Sequence, residues 1–222
     1  MKKPKKEDIK YAIAKAGLAS IPIVGAAASE LLQLLVTPPL EKRRNAWMED
    51  IGERLANLEK DGKVNLSELA NNEIFIDVVV QTTQQAIKTS QEEKLSYYKN
   101  VVTNIALGEH PDISEIQIFL NLISDYTVWH IKILKLFDDI PKWYKENNKQ
   151  VPSIMGGLSS ILENAFPELK GRSDFYNFIW NDLQRAGFHS SGSLQTIMTS
   201  QGLMASRTSE YGKRFLEFIS TD

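Results

Sequence analysis

Apolar residues recur along most of this chain at spacings of three and four, the period of an amphipathic helix. The clearest stripe is Trp47, Ile51, Leu55 and Leu58, inside a helix expected over residues 40–59. Ahead of it, the pattern predicts a first helix over 8–20, N-capped by Asp8, and a second over 25–37. The second carries Leu31, Leu32, Leu34 and Leu35, so it is apolar on most of its surface and is either buried or lipid-facing. Pro22, between Ile21 and Ile23, is expected to part these two helices. Pro38 and Pro39 are expected to part the second from the third, because proline disfavours helical geometry in the residue before it.

"KDGK" at 60–63 reads as a turn, and "NLSELANNE" as a short helix and connector. The longest helical signal follows, over 73–107. It opens apolar ("IFIDVVV"), turns polar over 81–94, then recovers a stripe at Leu95, Tyr98, Val101, Val102 and Ile105. Gly108 is a good helix stop and "GEHPD" a linker. Beyond it, helices are expected over 113–124 and 127–138, with a short one after Pro141. Another within 151–167 is weakened by Gly156 and Gly157, and one runs from an N-cap at Ser173 to a stop at Gly187. "SLQTIMTSQGLMASRTS" alternates and predicts a β-hairpin turning at Gln201 and Gly202. "SEYGKRFLEFI" closes as a short amphipathic helix. The predicted fold is mainly α: an N-terminal helical bundle with a long helix over 1–108, followed by a domain with one β-hairpin over 109–222.

The second half carries two recognisable patterns. Leu183 and Gly187 end the helix before the predicted hairpin. Thr208, Gly212, Phe215, Leu216 and Ile219 punctuate the closing helix. On these residues the region 127–220 resembles a winged-helix domain, which implies a recognition helix near 173–186 and a hairpin wing. The whole chain, with "IPIVG", "TPPLEKRR" and "TSQEEK", also resembles a family of uncharacterised bacterial proteins. That resemblance implies a bacterial origin and brings no activity with it.

Charge weakens the nucleic-acid reading. The net charge is −2, and the helix expected in the groove offers Asp174 and Asp182 beside Asn177, Asn181, Gln184 and Arg185. Only Arg172, Arg207, Lys213 and Arg214, with Lys170, are left as candidate phosphate contacts. Its four aromatics, Phe175, Tyr176, Phe178 and Trp180, exceed one buried stripe, so Phe175, Tyr176 and Trp180 are candidates for a partner surface.

Catalytic chemistry finds little footing. With no Cys, thiol nucleophiles, Cys-ligated zinc and iron–sulfur clusters are excluded, and a cytoplasmic location fits. The three His (His110, His130 and His189) lack metal-ligand spacing, and no P-loop, GxGxxG or GxSxG occurs. Glu92–Glu93 and Asp138–Asp139 are adjacent, so each pair diverges on a helix. No catalytic residue, cofactor or metal is expected.

Residues 16–36 carry one charge, Glu30, and approach the length of a bilayer span. Pro22 divides that run into pieces too short to span singly. Ile21, Ile23, Val24, Leu31 and Leu34 are the candidate membrane segment, flanked by Lys2, Lys3, Lys5, Lys6 and Lys10. A basic tail over 1–6 is expected rather than a cleaved signal, because Lys10 and Lys15 sit beside the apolar run. The favoured function is a non-enzymatic interaction or adaptor protein, cytoplasmic, in a bacterial stress or defence setting. The alternatives are a membrane-active helical effector, loosely similar to helical cell-death domains, and a winged-helix DNA-binding regulator. Protein partners are expected on the aromatic helix and on the polar stretch 81–94, represented by Gln84 and Gln91. The polar stretch also suggests a homo-oligomer.

Overall fold

The computed structural model describes residues 22–152 and 156–221, with side chains from residue 39 onward. The tail over 1–6, the helix over 8–20 with Asp8, and Ile21 lie outside the described residues. The fold is mainly α, and no strand occurs among the described residues.

Helix α1 spans Pro22–Lys60. The break expected at Pro22, between Ile21 and Ile23, falls at the edge of the described residues. The break expected at Pro38 and Pro39 is absent: α1 runs through both as one helix. Proline's fixed φ is itself helical, so the cost is two forgone backbone bonds and ring contact with the preceding turn. Packing further along anchors the helix. Trp47 and Ile51 are buried, Leu55 and Leu58 pack beside them, and Trp47 Nε1 donates to Thr83 Oγ1 at 2.9 Å.

After α2 (Leu66–Leu69), capped by Asn65, the long helix expected over 73–107 is two. These are α3 (Glu73–Lys88) and α4 (Glu92–Leu107). Thr89 is extended at φ −105° and ψ 150°, and its hydroxyl accepts from the Gln91 N–H at 3.2 Å. A Thr-Ser pair offers the backbone this local alternative to helix bonds. So short a connection makes α3 and α4 a hairpin. Phe75, Val78 and Ala86 of α3 and Tyr98, Val101, Val102 and Ile105 of α4 belong to its buried core.

Gly108 ends α4 in left-handed geometry at φ 78°, as predicted. Helix α5 (Ile113–Asp125) starts on Asp112, whose carboxylate accepts from the Ser114 and Glu115 N–H groups. Helix α6 (Val128–Asp138) opens on a Thr127/His130 capping box, and α7 (Ile140–Glu146) on Asp139 with Pro141 in its first turn. Helix α8 (Leu158–Ala165) begins at Gly157, where a Cβ would stand 2.5 Å from the Leu194 carbonyl oxygen. Helix α9 is Ser173–Arg185, with Arg172 rather than Ser173 in the capping position.

The β-hairpin expected over 193–209 is not formed. Thr199 instead caps a short helix α10 (Ser200–Leu203), accepting from the Gly202 N–H, and this takes the place of the Gln201–Gly202 turn. Two isolated antiparallel bridges, Gly156 with Met198 and His189 with Thr208, are what remains of extended pairing. The winged-helix expectation therefore loses its wing. Its closing motif is accounted for by packing in α11 (Glu210–Phe218). Phe215, Leu216 and Ile219 are buried, and a Cβ at Gly212 would lie 2.8 Å from the Phe188 carbonyl oxygen.

One buried cluster runs from Trp47 to Ile219, across the boundary expected at 108. Side-chain amides of α4 tie the middle of the chain to its C-terminal helix. Asn104 Nδ2 donates to the carbonyls of Glu217 (3.2 Å), Phe218 (3.1 Å) and Ser220 (2.7 Å), and Asn100 Nδ2 to that of Ile219 (3.0 Å).

Candidate functional site

The residues expected to meet a partner divide sharply on folding. Tyr176 and Trp180 are 3% and 2% exposed and belong to the core, which corrects their expected place on the surface. The Tyr176 hydroxyl donates to Glu163 Oε1 at 3.0 Å, and Trp180 Nε1 donates to the Gly192 carbonyl at 2.9 Å. Phe175 is half-buried under the Arg172 guanidinium, 4.3 Å from its ring centroid. Phe178 is the aromatic that faces out, 56% exposed, and Ile197 is 81% exposed. Helix period alone did not choose among four aromatics. The choice is made by α6, whose Phe137 ring centroid lies 5.0 Å from that of Trp180, and by His189 and the 190–195 segment packing along α9.

The four expected phosphate contacts have local engagements instead. Arg214 Nη2 pairs with Glu115 at 2.8 Å, and Lys213 with Glu210 at 2.8 Å. Arg207 donates to the Gly202 carbonyl and lies 3.3 Å from Met198 Sδ, while Arg172 covers Phe175. Among the described residues, no helix is long and apolar enough to cross a membrane. Ile23, Val24, Leu31 and Leu34 lie on the backbone of α1, with side chains outside the description.

Both buried histidines are structural. The Thr127 N–H donates to His130 Nδ1 at 3.2 Å, which places the ring hydrogen on Nε2, 3.6 Å from Asp182 Oδ2. Tyr126 stacks on the same ring at 4.4 Å. His189 Nε2 donates to the Trp180 carbonyl at 2.8 Å while its ring stacks on the indole at 3.6 Å. Burial pushes both imidazoles below the ordinary histidine pKa, with Asp182 opposing the shift at His130. The unfolded chain therefore takes up protons first, and stability falls as pH drops below about 6.5. We expect urea midpoints to decline from pH 7 to pH 5, at no more than about 1.4 kcal/mol per pH unit for each histidine. His189→Gln, which keeps a donor to Trp180, should flatten that slope. A flat or rising profile in the parent protein would contradict this assignment.

Two of the concavities among the described residues bear on function. The larger, about 830 Å³, lies where the 109–111 linker meets α6, α7 and the end of α11. Its charges are mixed: Lys135, Lys142 and Arg214 against Glu109, Asp138, Asp139, Glu146 and Glu217. Burial lowers the pKa of Lys135, whose Nζ lies 5.3 Å from the Tyr97 ring centroid. No group of three or more metal-ligating side chains occurs among the described residues.

The smaller cleft, about 180 Å³, lies between α3 and α5 and is lined by Gln81, Gln84, Gln85, Tyr98, Leu120 and Asn121. Its walls share an unusual feature. From 78 to 87 α3 carries no charge, being bracketed by Asp77 and Lys88. From 116 to 124 α5 carries none, being bracketed by Glu115 and Asp125. The two helices are neighbours, so the uncharged runs form one face. Gln84 and Asn121 are exposed in it, and Val80 (49% exposed) and Ile118 (47%) are exposed elsewhere on the same two helices. Gln84 thus lies where sequence expectation put it. Gln91 is exposed but sits beyond the turn, at the start of α4. The joint face was not visible in the sequence, because its halves are more than thirty positions apart. No protein-family model, curated protein or solved structure matches the chain.

Proposed function

We propose that this chain is a non-enzymatic interaction protein and that a protein partner docks on the α3–α5 face. One observation supports the reading: a quarter of the sequence is charged (24%), yet two adjacent helix runs carry no charged residue of their own. The centres of protein interfaces are depleted of charge and rimmed by it. Here Asp77, Lys88 and Asp125 supply the rim, with Lys94, whose Nζ donates to the Ser124 carbonyl at 2.8 Å. The amides of Gln81, Gln84, Gln85 and Asn121 offer both donors and acceptors without the desolvation cost of an ion.

The test is photo-crosslinking in the native host, with a photoreactive residue at Gln84 or Asn121 and a control at Lys60 on α1. We expect a discrete protein adduct from each of the two face positions and not from the control. Adduct yields equal to the control at both positions would overturn the reading.

A further inference from the structure

Helix α1 outruns the body it packs on. Arg43 Nη1 donates to the Ile87 carbonyl at 3.3 Å and Trp47 Nε1 to Thr83, so α1 runs antiparallel to α3 and draws level with its last residue, Lys88, just before Arg43. Asp50 pairs with Lys99, which sets the start of α4 at the same level. Lys94 Nζ on the Ser124 carbonyl and Lys132 on Glu93 bring the end of α5 and the start of α6 there too. Four elements thus end or begin level with Arg43, while α1 extends on to Pro22. At about 1.5 Å per residue, residues 22–40 add roughly 28 Å of helix past that end.

This stretch holds one ionisable residue, Glu30. By helix period Ser29, Glu30, Gln33 and Thr37 fall within one stripe about 100° wide, and Val24, Leu31, Leu32, Leu34, Leu35 and Val36 are spread round the rest. A helix docked on protein needs one apolar stripe, as Trp47, Ile51, Leu55 and Leu58 provide further along α1. A helix apolar round most of its circumference needs a surround, which lipid supplies and a single docked partner does not. Charge points the same way. Residues 1–44 hold nine Lys and Arg against four Asp and Glu, whereas residues 45–222 hold 17 against 24, so the basic excess adjoins the apolar stretch. Lys42, Arg44 and Lys88 are exposed at that end of the body. Glu41, Glu92 and Glu93 stand there as well, Glu93 paired with Lys132. Independently of the α3–α5 face, we infer that residues 22–40 of α1 embed in a bilayer rich in anionic lipid, with the body held at the headgroups. Glu30 and the polar stripe keep the helix at the headgroup boundary instead of carrying it across.

Flotation of the full chain with phosphatidylcholine vesicles, with and without about 30% phosphatidylglycerol, tests this. We expect the protein to rise with the anionic vesicles, and about tenfold less of it with the others. Lys42→Glu with Arg44→Glu changes two exposed positions and should cut binding to anionic vesicles about tenfold. Leu31→Lys with Leu35→Lys should abolish it, with unchanged circular dichroism showing that the body still folds. Because the chain contains no Cys, Leu34→Cys and Lys60→Cys can each be labelled at a single place. An environment-sensitive fluorophore at position 34 should shift to the blue when anionic vesicles are added. The same fluorophore at position 60, about 39 Å further along α1, should not. The inference is overturned if the parent chain does not float with anionic vesicles, if either pair of substitutions leaves flotation unchanged, or if both labels shift alike. A label at 34 that is shielded without vesicles, and more so as protein concentration rises, would assign the stretch to a second copy and overturn it equally.

Discussion

Replacing Phe119 by alanine will lower the free energy of unfolding by about 3–5 kcal/mol, the range for deleting a buried phenylalanine. Phe119 is fully buried at the centre of an aromatic group. Its ring centroid lies 5.2 Å from that of Tyr211, 5.3 Å from Phe215 and 5.5 Å from Phe218. Three rings on α11 thus close around one ring on α5. The contact with Phe215 is edge-on at 71°, a favoured arrangement that contributes beyond area burial. The site cannot collapse readily, because Phe215 is itself stacked on Phe188 at 4.8 Å. The loss will appear as a lower urea midpoint at constant m. Ile118, one position away and 47% exposed, supplies the contrast: Ile118→Ser should move stability by no more than about 0.5 kcal/mol. A Phe119→Ala loss below about 1 kcal/mol would show that this aromatic group does not hold α11 in place.

Asn104→Leu will cost about 2–4 kcal/mol, for a different reason. Helices leave their last carbonyls without partners, and these need donors from elsewhere. At the end of α11 the donors come from α4: one amide of Asn104 serves three carbonyls, and Asn100 serves a fourth. Leucine keeps the γ-branched outline, though it is bulkier, and removes the donors, leaving a buried acceptor without a partner. Asn104→Asp separates donation from packing. It has nearly the same shape, but a carboxylate accepts only, so at pH 7 it opposes the carbonyls it faces. We expect Asn104→Asp to destabilise at least as much as Asn104→Leu, with faster amide exchange concentrated in α11. A neutral Asn104→Asp would mean that these bonds contribute nothing net.

Element ends were legible in the sequence wherever one residue's own chemistry decides them. Gly108 and Gly187 stop helices because their φ values, 78° and 79°, suit glycine. The stripe Trp47, Ile51, Leu55, Leu58 held because one helix face meets one core. The misreadings arose where local signals were balanced. The Thr, Ile and Met alternation near 196–204 matched a strand, but Thr199 serves equally well as a helix cap, and Ile197 stays in solvent instead of entering a core. Pro38 and Pro39 favour a break without enforcing one. Thr89 and Ser90 sat inside a helical pattern, and only the folded hairpin distinguishes a turn there from a surface stretch of one long helix. The α3–α5 face lies beyond any local reading, since it exists only when two distant runs become neighbours.

The clamp at the end of α11 also sets an order of events. The amides of Asn100 and Asn104 wait for carbonyls 113 to 119 positions later in the chain. At about 5–20 residues per second of synthesis, that wait is roughly 6–24 s. During it, α3 and α4 can form their hairpin, but the side of α4 that carries these amides has no final neighbour. The nascent protein therefore passes through a stage in which its first half is folded locally and still open on one side. That stage ends only when residues 217–220 arrive.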